Sequence, residues 1–580
     1  MDPLPDEGGF DDDAFEDEAA PPPPTYPWVE QHGYYRMRLD WLDDLHLSNY
    51  ADKANFVSGQ PPPLTENVTN NTGDRSGDSG NSFSATETSV SSANMRFRYQ
   101  PTLHLAENVR VRATIDMLDN LVLGSTPDGL HRRNDVPMLA FSGGQAPPES
   151  MRNSVQDSLR VKHAWGEWKT PLGLLRVGRQ PSHWGMGILA NGGGCEDCDF
   201  GDTNDRIMFV TRGLGTYIAF GYDIVASGAT TASVSQPAGQ PRDLDDADDT
   251  TQYILALFRR PLSPAEKQQR DYDLKRLRRP VLDFGLYGVF RDQELTTEAT
   301  QMDNEGTRGR IPDVEQARPN DGGVASPEGP NSPHYTLFTR NVEAYIPDAW
   351  AKFQWHPKRG HELTIEAEAA AIIGSIGDAA PDPQLGAPTK RDVMMWGGAL
   401  KSDYRMDNLR LGLELGAASG GEVLAFGIHD GFAVPTAGDA DITNFRFDRD
   451  YQVDLILFRE IIGAVTNAMY VKPTLEYDIL RSVRSVLGLQ LDVIYARALK
   501  AERSSAGNYI GTPSGEADYG VEFDTSLFFR EQDRFSLQLA YGLFIPMDAF
   551  KLPADRNARE GKDRDAANAQ TIQGRLVLKF

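Results

Sequence analysis

The stretch that most constrains this chain is its last one. Residues 569–580 read AQTIQGRLVLKF, with Ile572, Gly574, Leu576, Leu578 and Phe580 on one face and Gln573, Arg575, Val577 and Lys579 on the other. That is period two, the repeat of a strand with one apolar and one wetter face. The same alternation opens the chain. Over Gly33–Leu47, Tyr35, Met37, Leu39, Trp41, Leu45 and Leu47 oppose Arg36, Arg38, Asp40, Asp44 and His46. In the next such stretch Met95, Phe97, Tyr99, Leu103 and Leu105 oppose Arg96, Arg98, Gln100 and His104. A third sets Val109, Val111, Ala113, Ile115 and Met117 against Arg110, Arg112, Thr114 and Asp116.

Strands of this kind come in pairs. Short turns join the members of a pair, at Ala106-Glu107-Asn108, Thr170–Gly173, Gly213–Gly215, Pro357–Gly360, Arg405–Asn408 and Glu531–Arg534. Long Gly-, Pro-, Asn- and Asp-rich segments separate the pairs. The spacing predicts about 18 strands, within a range of roughly 16–20, an even number as single-chain barrels have. Tyr451–Glu460 (YQVDLILFRE) is placed in a long loop, because counting it as a strand breaks the parity. The expectation is all-β: a closed antiparallel transmembrane β-barrel over residues 31–580, with short periplasmic turns and long extracellular loops. No apolar run is long enough for a transmembrane helix. Residues 1–30, acidic and then proline-rich, cannot build a core and are expected to form a disordered periplasmic arm.

One turn is different. Between Pro261 and Pro280, Ser263-Pro264-Ala265-Glu266 is a capping-box start with proline at the first helical position. Lys275, Arg276, Arg278 and Arg279 lie at the other end, where cations suit the helix dipole. A short helix within 263–279 is expected, open to a periplasmic partner or to anionic lipid.

A formal net charge of −26 argues against nucleic acid as a partner. Facing outer-membrane lipid and lipopolysaccharide, such a surface would need divalent cations in between. No secretory leader is visible, so the numbering is expected to begin at the mature chain or downstream of the true start.

Residues 159–188, LRVKHAWGEWKTPLGLLRVGRQPSHWGMGI, carry TPLG at a hairpin turn, then RVGRQ, then WGMG. This resembles a segment shared by large outer-membrane porin-like families, including alginate-export-type barrels. Together with GDTNDR (201–206) and VDLILFREIIGAVTNAMYVKP (453–473), it makes nearly the whole chain similar to an uncharacterised outer-membrane β-barrel family of myxobacteria and related deltaproteobacteria. The closing strand ending at Phe580 resembles the last strand of bacterial outer-membrane barrels. The resemblance implies a bacterial outer-membrane location, pairing of the last strand with the first, and reading of that last strand by the barrel-assembly machinery. It carries over no activity, since that family has none assigned.

Candidate functional residues follow from strand parity. Arg36, Arg38, Arg96, Arg98, Arg110 and Arg112 face inward on the first three strands and form a basic ladder, which Arg160 and Lys162 extend. Acidic inward positions are Glu362, Glu366, Glu368, Glu414, Glu522 and Asp524. A basic wall facing an acidic wall puts a transverse field across a lumen and can select solutes. The same charges can instead pair across the lumen and close it. In the loop 191–205, NGGGCEDCDFGDTND, Cys195 and Cys198 are expected to form a small disulfide. Asp197, Asp199, Asp202 and Asp205 could offer oxygens to Ca²⁺, though an acidic solvated loop explains them as well. The cluster Asp243, Asp245, Asp246, Asp248 and Asp249 reads the same way. No other cofactor is expected, and the scattered histidines lack a serine motif, so no enzyme is expected.

The expectation for function is a porin-like channel for passive passage of small or anionic solutes along the arginine ladder. The alternative is a non-conducting structural or interaction barrel presenting acidic loops to a surface partner. Loops folded into the lumen favour the first, and loops projecting above a filled lumen favour the second.

Overall fold

The computed structural model describes residues 25–45, 47, 89–123, 158–228, 246–297, 337–377, 390–421, 441–501, 514–551 and 565–580. The strands are β1 (Trp28–Asp43), β2 (Ser89–Ala106), β3 (Val109–Val122), β4 (Leu159–Thr170), β5 (Gly173–Pro181), β6 (Thr203–Gly213), β7 (Thr216–Ala226), β8 (Thr250–Arg259) and β9 (Val281–Thr297). They continue as β10 (Leu337–Trp355), β11 (His361–Ile376), β12 (Arg391–Met406), β13 (Leu409–Ala418), β14 (Ala468–Arg481), β15 (Ser485–Ala498), β16 (Asp518–Glu531), β17 (Phe535–Pro546) and β18 (Ala569–Lys579). All 18 lie in one sheet, each antiparallel to its neighbours in sequence, and β1 pairs with both β2 and β18. The sheet is therefore a closed barrel with no free edge, the one way a sheet can satisfy its backbone in lipid.

Closure runs along the β1–β18 ladder, Tyr34–Asp43 against Gln570–Lys579, and Phe580 extends it. Gly33 N–H donates to the Phe580 carbonyl at 3.1 Å, and Phe580 N–H donates back to the Gly33 carbonyl at 3.0 Å. The Phe580 ring stacks on Phe97 of β2, centroids 5.6 Å apart. Outward positions carry exposed apolar side chains all the way round, among them Leu39, Leu255, Trp396, Leu475, Phe523 and Ile572. Only a hydrocarbon surround suits so continuous a belt.

The turns joining β2–β3, β4–β5, β6–β7, β10–β11, β12–β13, β14–β15 and β16–β17 are short and share the periplasmic rim. The β8–β9 turn holds α1 (Pro264–Lys275), with Ser263 and Glu266 forming the capping box as its spacing predicts. Two boundaries differ from the sequence reading. β1 already pairs with β2 from Trp28, so the barrel begins there and not at residue 31. It stops at Asp43, because Asp44 and Leu47 take left-handed φ of 55°. Leu45 and Leu47 leave the strand and are buried in the barrel's interior cluster. Residues 1–24, Asp243 and Asp245 lie outside the described residues.

Tyr451–Glu460 is no strand. It contains the start of a short π-helical turn, Leu457–Ile461, and it lies inside the barrel, not above it.

Candidate functional site: two segments folded into the lumen

Residues 182–202, between β5 and β6, turn inward. Trp184 reaches the β9–β10 wall, stacking on Tyr287 with centroids 5.0 Å apart, and its Nε1 donates to Asp348 at 3.1 Å. Gly285 makes room: a methyl there would stand 2.6 Å from the Trp184 ring. Glu368 accepts from the Met186 N–H. The base of the segment is pinned where Asp202 N–H donates to the Asn191 carbonyl at 2.6 Å and Ser182 N–H to the Asp202 carbonyl at 3.0 Å.

The tip, Gly193–Asp199, meets the basic ladder. The Cys195–Cys198 disulfide is formed. Arg36 donates to the Glu196 carbonyl at 2.9 Å, Arg96 to the Cys198 carbonyl at 2.6 Å and Arg98 to the Gly193 carbonyl at 2.9 Å. Asp199 accepts from Arg38 at 2.6 Å, Arg96 at 2.8 Å and Arg36 at 3.1 Å. Asp197 accepts from Arg459 at 2.6 Å, Arg575 at 3.0 Å and Arg38 at 3.2 Å. Burial pushes both carboxyls up, but the guanidiniums outweigh it and hold them well below the usual carboxylate range. From the wall, Asp116 grips Arg98 at 2.7 and 2.9 Å, and Asp119 holds Arg96 at 2.5 Å.

Residues 441–467 make the second inward segment, and it is held differently. Phe445, Phe447, Ile456, Leu457, Phe458, Ile461, Ile462 and Val465 pack against Tyr470, Ile494, Ala496, Tyr519 and Phe544 of the wall and Ile188 of the first segment. Gly397 on β12 admits the Phe445 and Phe447 rings, which would stand 2.5 and 2.8 Å from a methyl placed there. A helical turn in such surroundings exposes N–H groups that must find acceptors. Glu522 accepts from Ile456 at 2.8 Å, Leu457 at 2.9 Å and Leu455 at 3.0 Å. Asp454 accepts from Phe458 at 2.9 Å and Arg459 at 3.1 Å, and burial pushes its carboxyl up to about 6.

The segments are also joined to each other. Asp450 takes the N–H groups of Asp199, Phe200 and Gly201 at 2.9, 3.1 and 2.7 Å. Asp448 meets Asp202 carboxyl to carboxyl. Burial raises both, Asp202 to about 6 and Asp448 well above its ordinary value, and Asp450 adds to each.

Toward the periplasm the wall charges pair with each other. Glu167 takes Arg110 at 2.5 Å, Arg176 at 3.1 Å and Arg112 at 3.6 Å. Glu476 takes Arg405 and Arg410, each at 3.0 Å. Here side chains keep contact with water: Lys352, Lys401 and Arg405 are each about a quarter exposed. A small water-sized gap lies between Lys401, Asp403, Arg410, Glu414, Lys472 and Gln490.

The ladder read from sequence therefore divides. Arg36, Arg38, Arg96 and Arg98 are buried under the first segment, whereas Arg110 and Arg112 belong to a separate cluster about Glu167. Lys162 is buried beside the Phe200 carbonyl, and Arg160 is exposed at the outer end of β4. Glu366 pairs with Lys352 at 3.2 Å, and Glu414 accepts from the Tyr451 and Tyr470 hydroxyls at 3.0 and 2.8 Å. The four aspartates weighed for Ca²⁺ are not brought together. Asp197 and Asp199 face arginines, Asp202 faces Asp448, and Asp205 sits exposed on β6 with Arg179 at 2.7 Å. Among the described residues no group of three or more metal-ligating side chains is placed to hold an ion.

Parity alone did not find Asp450, Asp454, Arg459 or Trp184, which lie in loops and have no parity. One signal was available. Ile494, Ala496, Phe544, Ala256 and Phe258 are apolar at inward positions, and apolar residues in a polar lumen imply that something packs on them.

No family profile and no curated protein matches this chain. Among solved structures, OccD1 (OprD) aligns over 99% of both chains at 8% identity and a TM-score of 0.44. OccK8 (OprE) of Pseudomonas aeruginosa covers 95% of this chain and 98% of its own, at 7% identity and 0.42. OmpT of Vibrio cholerae, an outer-membrane expressed protein, covers 96% and 99%, at 8% identity and 0.32. Nothing about this chain's function follows from likenesses at that level.

Proposed function

We propose that this barrel is an outer-membrane channel for small solutes, constricted by two segments of its own chain. One observation carries the reading: residues 182–202 and 441–467 fold into the lumen and are bonded to inward side chains of the wall. The passage runs on the periplasmic side between the β10–β15 wall and these segments. Lys352, Lys401, Arg405 and Arg410 face Glu366, Glu414, Glu476 and Asp403 there, so charges of both signs border it. Arg36, Arg38 and Arg96 are occupied by Asp197 and Asp199, and Arg98 by Asp116 and the Gly193 carbonyl. They contribute anion selectivity only when the tip of the first segment withdraws.

A second reading, a non-conducting interaction barrel, draws support from the apolar cluster inside the lumen. Single-channel recording in a planar bilayer separates the two. Ala418 and Ala468 are register partners, so a two-residue turn replacing residues 419–467 closes a hairpin. The native chain is expected to pass small, weakly ion-selective currents, and the shortened chain severalfold larger ones. A silent native chain that conducts only when shortened would favour the interaction barrel. Equal currents from both would sink the constriction.

A further inference from the structure

The periplasmic rim carries a basic patch on a chain whose net charge is −26. Residues 259–279, the turn holding α1, contain Arg259, Arg260, Lys267, Arg270, Lys275, Arg276, Arg278 and Arg279 against Glu266, Asp271 and Asp273. Arg259, Lys267, Lys275, Arg276 and Arg279 are exposed, and Lys358 and Arg359 on the nearby β10–β11 turn extend the patch. The turn is fixed in place: Arg270 is bound to Asp283 and Gln354, and Trp355 Nε1 donates to the Arg278 carbonyl at 3.1 Å. Among the described residues Arg276, Arg278 and Arg279 make no ion pair, so the patch is a standing positive surface.

The N-terminal segment has the opposite character. Between Asp2 and Glu18 it carries Asp2, Asp6, Glu7, Asp11, Asp12, Asp13, Glu16, Asp17 and Glu18 and no lysine or arginine. It enters the barrel at Trp28, on the same rim. The strand order puts the α1 turn, between β8 and β9, roughly opposite β1. Eighteen strands about 4.8 Å apart and tilted about 40° enclose a mouth roughly 35 Å across. At about 3.3 Å per residue, Asp11 to Glu18 can reach roughly 33–56 Å from Trp28. Pro21–Pro24 lie between in the sequence. Charge and reach thus agree.

We propose that the acidic residues 11–18 dock on the basic α1 turn. The contact is electrostatic and intramolecular. It holds whether or not the barrel conducts. Anionic lipid headgroups are the competing occupant of the same patch.

The test is zero-length carbodiimide crosslinking of the full chain in zwitterionic nanodiscs, mapped by peptide mass spectrometry. Mixed ¹⁵N-labelled and unlabelled protein distinguishes crosslinks within one molecule from those between two. Crosslinks from residues 11–18 to Lys267, Lys275 or Lys358 within one molecule are expected. Their yield should fall more than about fivefold as salt rises from about 20 mM to about 500 mM, since screening shortens the reach of the charges. Arg276→Glu with Arg279→Glu, both exposed, should remove them while the barrel stays folded. Absence of these crosslinks, yields indifferent to salt, or crosslinks only between molecules would overturn the proposal. So would crosslinks that vanish when phosphatidylglycerol is added at physiological salt, because the patch would then belong to the membrane.

Discussion

The two in-folded segments do one job with opposite chemistry. The tip of residues 182–202 is held through ions, with Asp197 and Asp199 facing Arg36, Arg38, Arg96 and Arg575 of the wall and Arg459 of the second segment, while Trp184 and Ile188 pack nearer its base. Residues 441–467 hold through apolar burial, with carboxylates serving chiefly to accept the N–H groups of a helical turn. An ionic clamp opens to rehydrate its charges, and its attraction falls with salt. An apolar core gains nothing from salt dilution and leaves a void when trimmed. The first segment therefore has the properties of a removable gate, and the second those of a fixed plug.

Trimming each side of this contrast gives the largest effect. Phe447→Ala removes a ring seated over Gly397, and such truncations cost about 3–5 kcal/mol. Asp197→Asn leaves Arg459 and Arg575 poorly matched but partly hydrated, at about 1–3 kcal/mol. Hydrogen exchange read segment by segment checks both. Phe447→Ala should deprotect residues 455–462 strongly, and Asp197→Asn should deprotect 193–200 chiefly, with a smaller effect at Arg459, whose guanidinium loses its shortest carboxylate contact. Raising salt on the native chain should speed exchange at 193–200 and leave 455–462 unchanged. Equal salt response in the two segments would erase the distinction.

The fold was legible because a barrel wall repeats one instruction. Each strand buries alternate residues, so period two places Arg36 and Arg96 inside and Leu39 and Phe97 outside without any knowledge of neighbours. The short turns then fix which end is which. The site was less legible because it is built from loop backbone. Asp450 acts by taking three successive N–H groups, a role set by the curl of 199–201 and not by any residue pattern. VDLILFRE reads as apolar in the sequence, but whether it crosses a membrane, caps a loop or fills a lumen depends on the apolar inward positions of strands far away, such as Ile494 and Phe544. Arg160 is exposed, whereas Arg36, Arg38, Arg96 and Arg98 are buried inside the barrel. What covers them became visible only when the 191–205 loop was seen to turn inward.

pH sharpens the comparison at the joint between the segments. Asp197 and Asp199, held low in the fold, contribute stability that is complete above the ordinary value of 3.8 and lost as pH falls through their folded values. Asp202 and Asp448, held high, work in the other direction. Their contact is strongest below 3.8 and weakens as pH rises through about 6, where Asp202 ionises. Asp450 and Arg291 also act on this pair, the first raising and the second lowering Asp202. Between about pH 4 and 6.5 the joint should loosen while the arginine clamp stays intact, giving faster exchange at 200–202 and more frequent current fluctuations at the higher pH. Asp448→Asn keeps a donor toward Asp202 without a second ionisable group, and it should flatten that dependence. A native profile flat over this range would show that the segments move as one.

The smallest effect is expected from the disulfide. Cys195 and Cys198 are three residues apart, and closing so short a loop is worth at most about 2 kcal/mol on chain-entropy grounds. The tip is also held where the disulfide holds it, since Arg36 and Arg96 bind the Glu196 and Cys198 carbonyls and Asp199 meets three guanidiniums. Cys195→Ser with Cys198→Ser should therefore speed exchange at 195–198 modestly and leave conductance unchanged at low salt. At high salt, with the clamp screened, the same variant should open more often than the native chain, because the covalent tie then becomes the main local constraint. Opening equal to the native chain's at both salt levels would mean that the ions alone shape the tip.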